Sequence, residues 1–178
     1  MITGKMLGIT IGILVGLLIG IIILKYINQD SKIRAKYDER QQLVRGKAYR
    51  LAFWTAVILM ALYSMADAYG LDLPIKRYII PFIIIIISIL VHATYAIFND
   101  GYFGVNENRK KAFVVFVLIG LLNFGVAVLE IKRGKMMEDG KLGAPFMNLI
   151  CGISFVLIGI VLIIKNMITK EDIDEEEE

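Results

Sequence analysis

The chain has 178 residues, of which 57% are hydrophobic, with a mean hydropathy of +0.68 and a formal net charge of +3. A soluble domain is about 45–50% apolar, so the composition excludes an ordinary water-soluble fold and calls for a less polar solvent. The small net charge conceals a segregation, with eight of the 20 Lys and Arg between residues 25 and 50 and seven of the 17 acids after residue 170.

The first apolar segment, Met6–Leu24, is about 19 residues long. A secretory h-region is typically about 7–15, and no A-x-A-like cleavage site follows it, so it reads as a retained span. Its pattern is Gly4, Gly8, Gly12, Gly16 and Gly20, a period of four without a miss. Residues four apart share one helix face, and glycine lets another backbone approach closely, the small-xxx-small mode of membrane packing. Each glycine costs about 1 kcal/mol of helix propensity relative to alanine, so a face of five points to a close helix contact or a groove for a lipid or peptide.

The connection from Lys25 to Arg50 is basic. Asp30 and Ser31 are N-cap candidates, and Ile33, Tyr37, Arg40, Val44, Ala48 and Leu51 recur every three or four residues. Lys32, Lys36, Glu39 and Arg50 fall opposite. The spacing predicts a basic amphipathic juxtamembrane helix lying against anionic headgroups and running into a second span, Leu51–Tyr69. Nucleic acid is excluded as a partner, since no recognisable reading module accompanies the charge.

The third segment, Tyr78–Phe98, includes a run of isoleucines that reads as a strand in water. In lipid an open strand leaves its backbone unpaired, so helix is expected, with Pro81 tolerated in the first turn. The fourth and fifth spans are Phe113–Ile131 and Phe146–Ile164. The fold class is therefore an all-α integral membrane protein of five transmembrane helices, residues 1–164, followed by an acidic tail, 165–178. That tail is too poor in apolar residues to fold and is expected to be disordered. With connections assigned alternately, thirteen Lys and Arg fall on one side and seven on the other. The positive-inside rule then puts the N-terminus outside and the C-terminus in the cytoplasm.

Polar groups inside spans are costly in hydrocarbon and are candidates for function. Ser64 and Asp67 in the second span, Asn123 and Glu130 in the fourth and Asn148 in the fifth all fall toward the outer end, where they define a candidate polar pocket. His92, the single histidine, lies nearer the inner face, far from Asp67 by the rise per residue, and reads as structural. Cys151, the single cysteine, makes no internal disulfide and has no C-x-x-C partner. The chain contains no G-x-S-x-G, no H-E-x-x-H and no Walker loop, so no enzyme, metal or cofactor is expected. The function expected is that of a non-enzymatic accessory, sensor or immunity-type component. It would act through helix packing, as a homo-oligomer or with a membrane protein partner, and through lipid contacts. The alternative is a small transporter or channel component built on the polar pocket.

Tyr37-Asp-Glu-Arg-Gln41, Arg45-Gly-Lys-Ala-Tyr49 and Asn99-Asp-Gly-Tyr-Phe-Gly104 together resemble small, uncharacterised multi-span membrane proteins of Gram-positive bacteria such as clostridia. The resemblance covers residues 36–110 and implies a bacterial plasma membrane, with no activity or site residues to carry over.

Overall fold

The computed structural model describes residues 4–176, with side-chain surroundings for residues 10–169 except residue 13. Five α-helices follow one another: α1 (Gly4–Ile27), α2 (Glu39–Ala68), α3 (Ile80–Phe98), α4 (Arg109–Lys132) and α5 (Pro145–Glu176). A 3₁₀ turn (Arg77–Ile79) leads into α3, and a short antiparallel hairpin, β1 (Met137–Glu138) with β2 (Lys141–Leu142), precedes α5. All five helices are long and apolar enough to cross a membrane.

Many of the residues buried between helices are small, Ala48, Ala93, Ala96, Ala112, Ala127, Ser88 and Ser154, and they pack beside Ile84, Ile97, Val115, Ile158 and Leu162. Many large aliphatic side chains point outward, Leu18, Leu121 and Leu122 among them, a surface that suits a hydrocarbon surround. α4 packs along α5, α2 along α3, and α3 against α5. At the α4–α5 crossing, a Cβ on Gly120 would lie 3.2 Å from the Phe155 Cβ, and one on Gly152 would lie 3.0 Å from the Phe124 ring. Two glycines and two phenylalanines thus fit reciprocally.

The five-glycine face does something else. Gly12, Gly16 and Gly20 have open space where a Cβ would stand, while the surroundings of Gly4 and Gly8 lie outside the described residues. α1 has α4 as its main helix contact and joins the core through Ile23 and Ile27 near its C-terminal end. Within this chain, no helix packs against the described part of the face.

The juxtamembrane segment also differs from expectation. The cap is Asp38, not Asp30 or Ser31: its carboxylate accepts from the Gln41 amide at 2.6 Å while the Gln41 side chain accepts from the Asp38 N–H, a reciprocal capping box. From there α2 runs 30 residues without interruption, so no separate amphipathic helix forms. Residues 28–38 are non-helical, and the Gln29 amide, the Arg34 carbonyl and both backbone groups of Lys36 pair with the connection between α3 and α4. At the other end of the chain, α5 continues as helix through Glu176, where the tail was expected to be disordered from residue 165; residues 177–178 lie outside the described residues.

Candidate functional site

The five residues of the expected polar pocket lie on three helices, Ser64 and Asp67 on α2, Asn123 and Glu130 on α4 and Asn148 on α5. Ser64 donates to the Met60 carbonyl and Asn123 to the Ile119 carbonyl, each one turn back on its own helix. Asp67 pairs with Arg77 at 3.4 Å, and Glu130 with Arg133 at 2.8 Å. Asn148 is half-buried on α5. No hydrogen bond or ion pair joins any two of the five among the described residues. The reason is architectural: α2 packs on α3 and α4 on α5, so α3 stands between the two groups.

His92 on α3 stacks on Tyr49 of α2 with ring centroids 4.4 Å apart, and its Nδ1 is buried without a hydrogen-bond partner. Arg45 extends the column, donating to the Tyr49 hydroxyl at 3.0 Å and lying 3.9 Å over the Tyr37 ring. Cys151 is a free, half-buried thiol on α5.

The chemistry concentrates at the end of the bundle that carries residues 28–38 and 99–108. Asn106, buried, ties the two connections together. Its Oδ1 accepts from the Lys36 amide at 2.7 Å, its Nδ2 donates to Asp30 at 3.1 Å and to the Arg34 carbonyl at 3.2 Å, and its own carbonyl accepts from the Gln29 amide at 2.7 Å. Gln41 reaches from α2 to the carbonyls of Asp100 and Phe103. Two glycines permit the approach: a Cβ on Gly104 would stand 2.5 Å from the Lys36 carbonyl oxygen, and one on Gly101 2.5 Å from Val44. The three stretches that carry the resemblance therefore meet in space.

This knot holds one wall of a cleft of 330 Å³ between the ends of α3, α4 and α5. Its walls are Ile97, Phe103, Phe113, Val114 and Leu162; Arg109, Lys110, Lys165, Asp100 and Asn166 bring polar groups to it. α3 ends in a Schellman pattern, with Asp100 N–H bonded to Ile97 and Gly101 N–H to Ala96. Asp100 takes the left-handed position, φ 57°, which aspartate tolerates better than most residues. Its carboxylate meets Lys165 of α5 at 3.0 Å. Arg109 lies 5.9 Å from the Phe103 ring centroid, and neither Arg109 nor Lys110 has an ion-pair partner among the described residues. Burial pushes the Tyr102 phenol up to about 12, so this lining residue stays neutral and adds no negative charge. One acid against three cations leaves the cleft positive.

Sequence reasoning reached the segment Asn99–Gly104 but read its glycines as turn residues. It missed Arg109, Lys110 and Lys165, which it counted only as topological charge. The available signal was their position: each stands at the end of a span, next to aromatic or aliphatic residues. No group of three or more His, Cys, Asp or Glu is disposed to hold a metal among the described residues. Comparison with known proteins gives no match, whether to family models, to curated proteins or to solved structures.

Proposed function

We propose that this protein is a non-enzymatic, multi-pass component of a bacterial cell membrane that works by binding, through contacts of α1 with a partner helix. The observation that carries this reading is the glycine face. Three consecutive glycines at period four stand open on a helix attached to its own bundle mainly near one end. Glycines with no role inside the chain still carry their propensity cost, and a close helix contact in the membrane offsets it. In-span hydroxyls and amides support binding over transport, because Thr55, Ser64, Ser88, Asn123 and Ser154 each bond to the carbonyl one turn back. Each has thereby committed a donor to its own helix.

A photo-crosslinking residue at Ile19, exposed on the rim of the glycine face, tests the reading in native membranes without filling the face itself, with one at Leu14 on the opposite side of α1 as control. A protein adduct from Ile19 and only lipid adducts from Leu14 is the expected result. Lipid adducts alone from both positions sink the proposal.

The proposed orientation places the N-terminus outside and the C-terminus inside, following the excess of Lys and Arg on the end that carries 28–38 and 99–108. In a Cys151→Ser background, Lys141→Cys should react with an impermeant thiol reagent added to intact cells, and Thr169→Cys should not. The reverse pattern inverts the assignment.

A further inference from the structure

We propose that the cleft between the ends of α3, α4 and α5 is a binding site for an anionic phospholipid, with the phosphate at Arg109, Lys110 and Lys165 and the start of one acyl chain against Phe113, Val114 and Leu162. The site is distinct from the glycine face and does not depend on it.

Three observations converge. The first is charge. Arg109 and Lys110 are exposed and have no acidic partner among the described residues. Lys165 is shared with Asp100, and Tyr102 stays neutral. A guanidinium and two ammonium groups facing one opening bind a phosphate, guanidinium by paired N–H donors and ammonium as point charges.

The second is the change in character with depth. Arg109 opens α4 and Val114 stands five residues further in, a descent of roughly 7–8 Å along the helix. Over that distance the wall passes from cations to Phe113, Val114 and Leu162. A soluble anion has no use for the apolar part, and a neutral hydrocarbon has none for the cations. A phospholipid presents both at this spacing, and basic pockets between spans are a known mode of headgroup recognition.

The third is size and support. At 330 Å³ the cleft is at the lower end of the range for small-molecule sites, about 300–1,000 Å³. It holds a headgroup and the first carbons of a chain, leaving the rest in the bilayer. One wall is fixed by the Asp100–Lys165 pair and by Gln41 holding the Asp100 and Phe103 carbonyls, so the shape exists before the ligand arrives.

The test is lipid binding to the full chain in mild detergent, read by native mass spectrometry. Dioleoyl phosphatidylglycerol is compared with dioleoyl phosphatidylcholine, and excess inorganic phosphate serves as competitor. The intact chain should bind the glycerol lipid more tightly. The doubly substituted chain Arg109→Gln, Lys110→Gln should lose about thirtyfold of that affinity and distinctly less of its affinity for the choline lipid, whose phosphate is offset by its own ammonium. Val114→Trp, which fills the apolar part without altering charge, should weaken both lipids. Equal affinity of the intact chain for the two lipids overturns the proposal without recourse to any variant. So does an unchanged affinity in the doubly substituted chain that retains its melting temperature. Displacement of the glycerol lipid by inorganic phosphate would identify a site for a soluble anion and overturn the lipid assignment, and an unaffected Val114→Trp chain would remove the acyl chain from the cleft.

Discussion

Asn106→Ala is expected to lower the stability of the protein by about 3 kcal/mol, the largest loss from any single polar side chain outside the spans. Alanine removes one acceptor and two donors at once. The Lys36 amide, the Arg34 carbonyl and the Asp30 carboxylate each lose a partner. Leaving a buried polar group unpaired costs about 1–3 kcal/mol, and partial access of water to Asp30 and Lys36 keeps the total below the sum. For a chain of this length, about 3 kcal/mol is roughly 6–12 °C in melting temperature. Asn108→Ala removes a single cap bond, to the Lys111 amide at 3.1 Å, and should cost about 1 kcal/mol. Thermal unfolding followed by circular dichroism in detergent separates the two. Equal shifts for both variants would mean that Asn106 does not tie the connections together.

Gly12→Leu should do the opposite: leave the isolated chain intact and abolish its assembly. No heavy atom of the described residues lies within 4 Å of a Cβ built at Gly12, so a leucine leaves the helix on its open side and gains helix propensity over glycine, somewhat under ~1 kcal/mol. Against a partner helix the same side chain forces the backbones apart, and lipid supplies no hydrophobic drive to compensate. Gly12→Ala should fall between wild type and leucine, and Leu14→Ile, on the opposite face, should behave as wild type. The measurement is paired: melting temperature in detergent, and co-purification of partner or second copy from membranes. Loss of thermal stability in the leucine variant would place an internal contact on the face, and undiminished co-purification would leave it facing lipid.

The five long apolar helices were legible in the sequence because their length and polarity are those a bilayer demands of a spanning segment, without reference to tertiary contacts. The isoleucine-rich stretch of α3 is the clearest case, since strand propensity lost to the need to satisfy the backbone. The start of α2 was misplaced by about eight residues for a physical reason. Asp30 has the chemistry of a cap, but its carboxylate is engaged by Asn106 and by Lys36 at 3.2 Å, 76 and six residues away. A cap is a local signal and Asn106 is not. The partners of the polar residues in the spans were unreadable for a related reason. Depth along each helix follows from residue counts, whereas which helices are neighbours follows from small residues such as Gly120 and Gly152, whose partner Phe124 precedes one glycine and Phe155 follows the other. The glycine period itself was legible as a motif for close approach, but nothing in it distinguishes an internal neighbour from an external one.

The tie between residues 28–38 and Asn106 also fixes an order of assembly during synthesis. The Lys36 amide and the Asn106 side chain are 70 positions apart. At about 5–20 residues per second, the ribosome needs roughly 4–14 s to supply the second after the first. Until then the Lys36 amide and the Arg34 carbonyl lack the Asn106 side chain that holds them, and α3, which ends at Phe98, is made in full eight residues before it. Closure of the connections is therefore a non-local step that follows the synthesis of both helices of the α2–α3 pair.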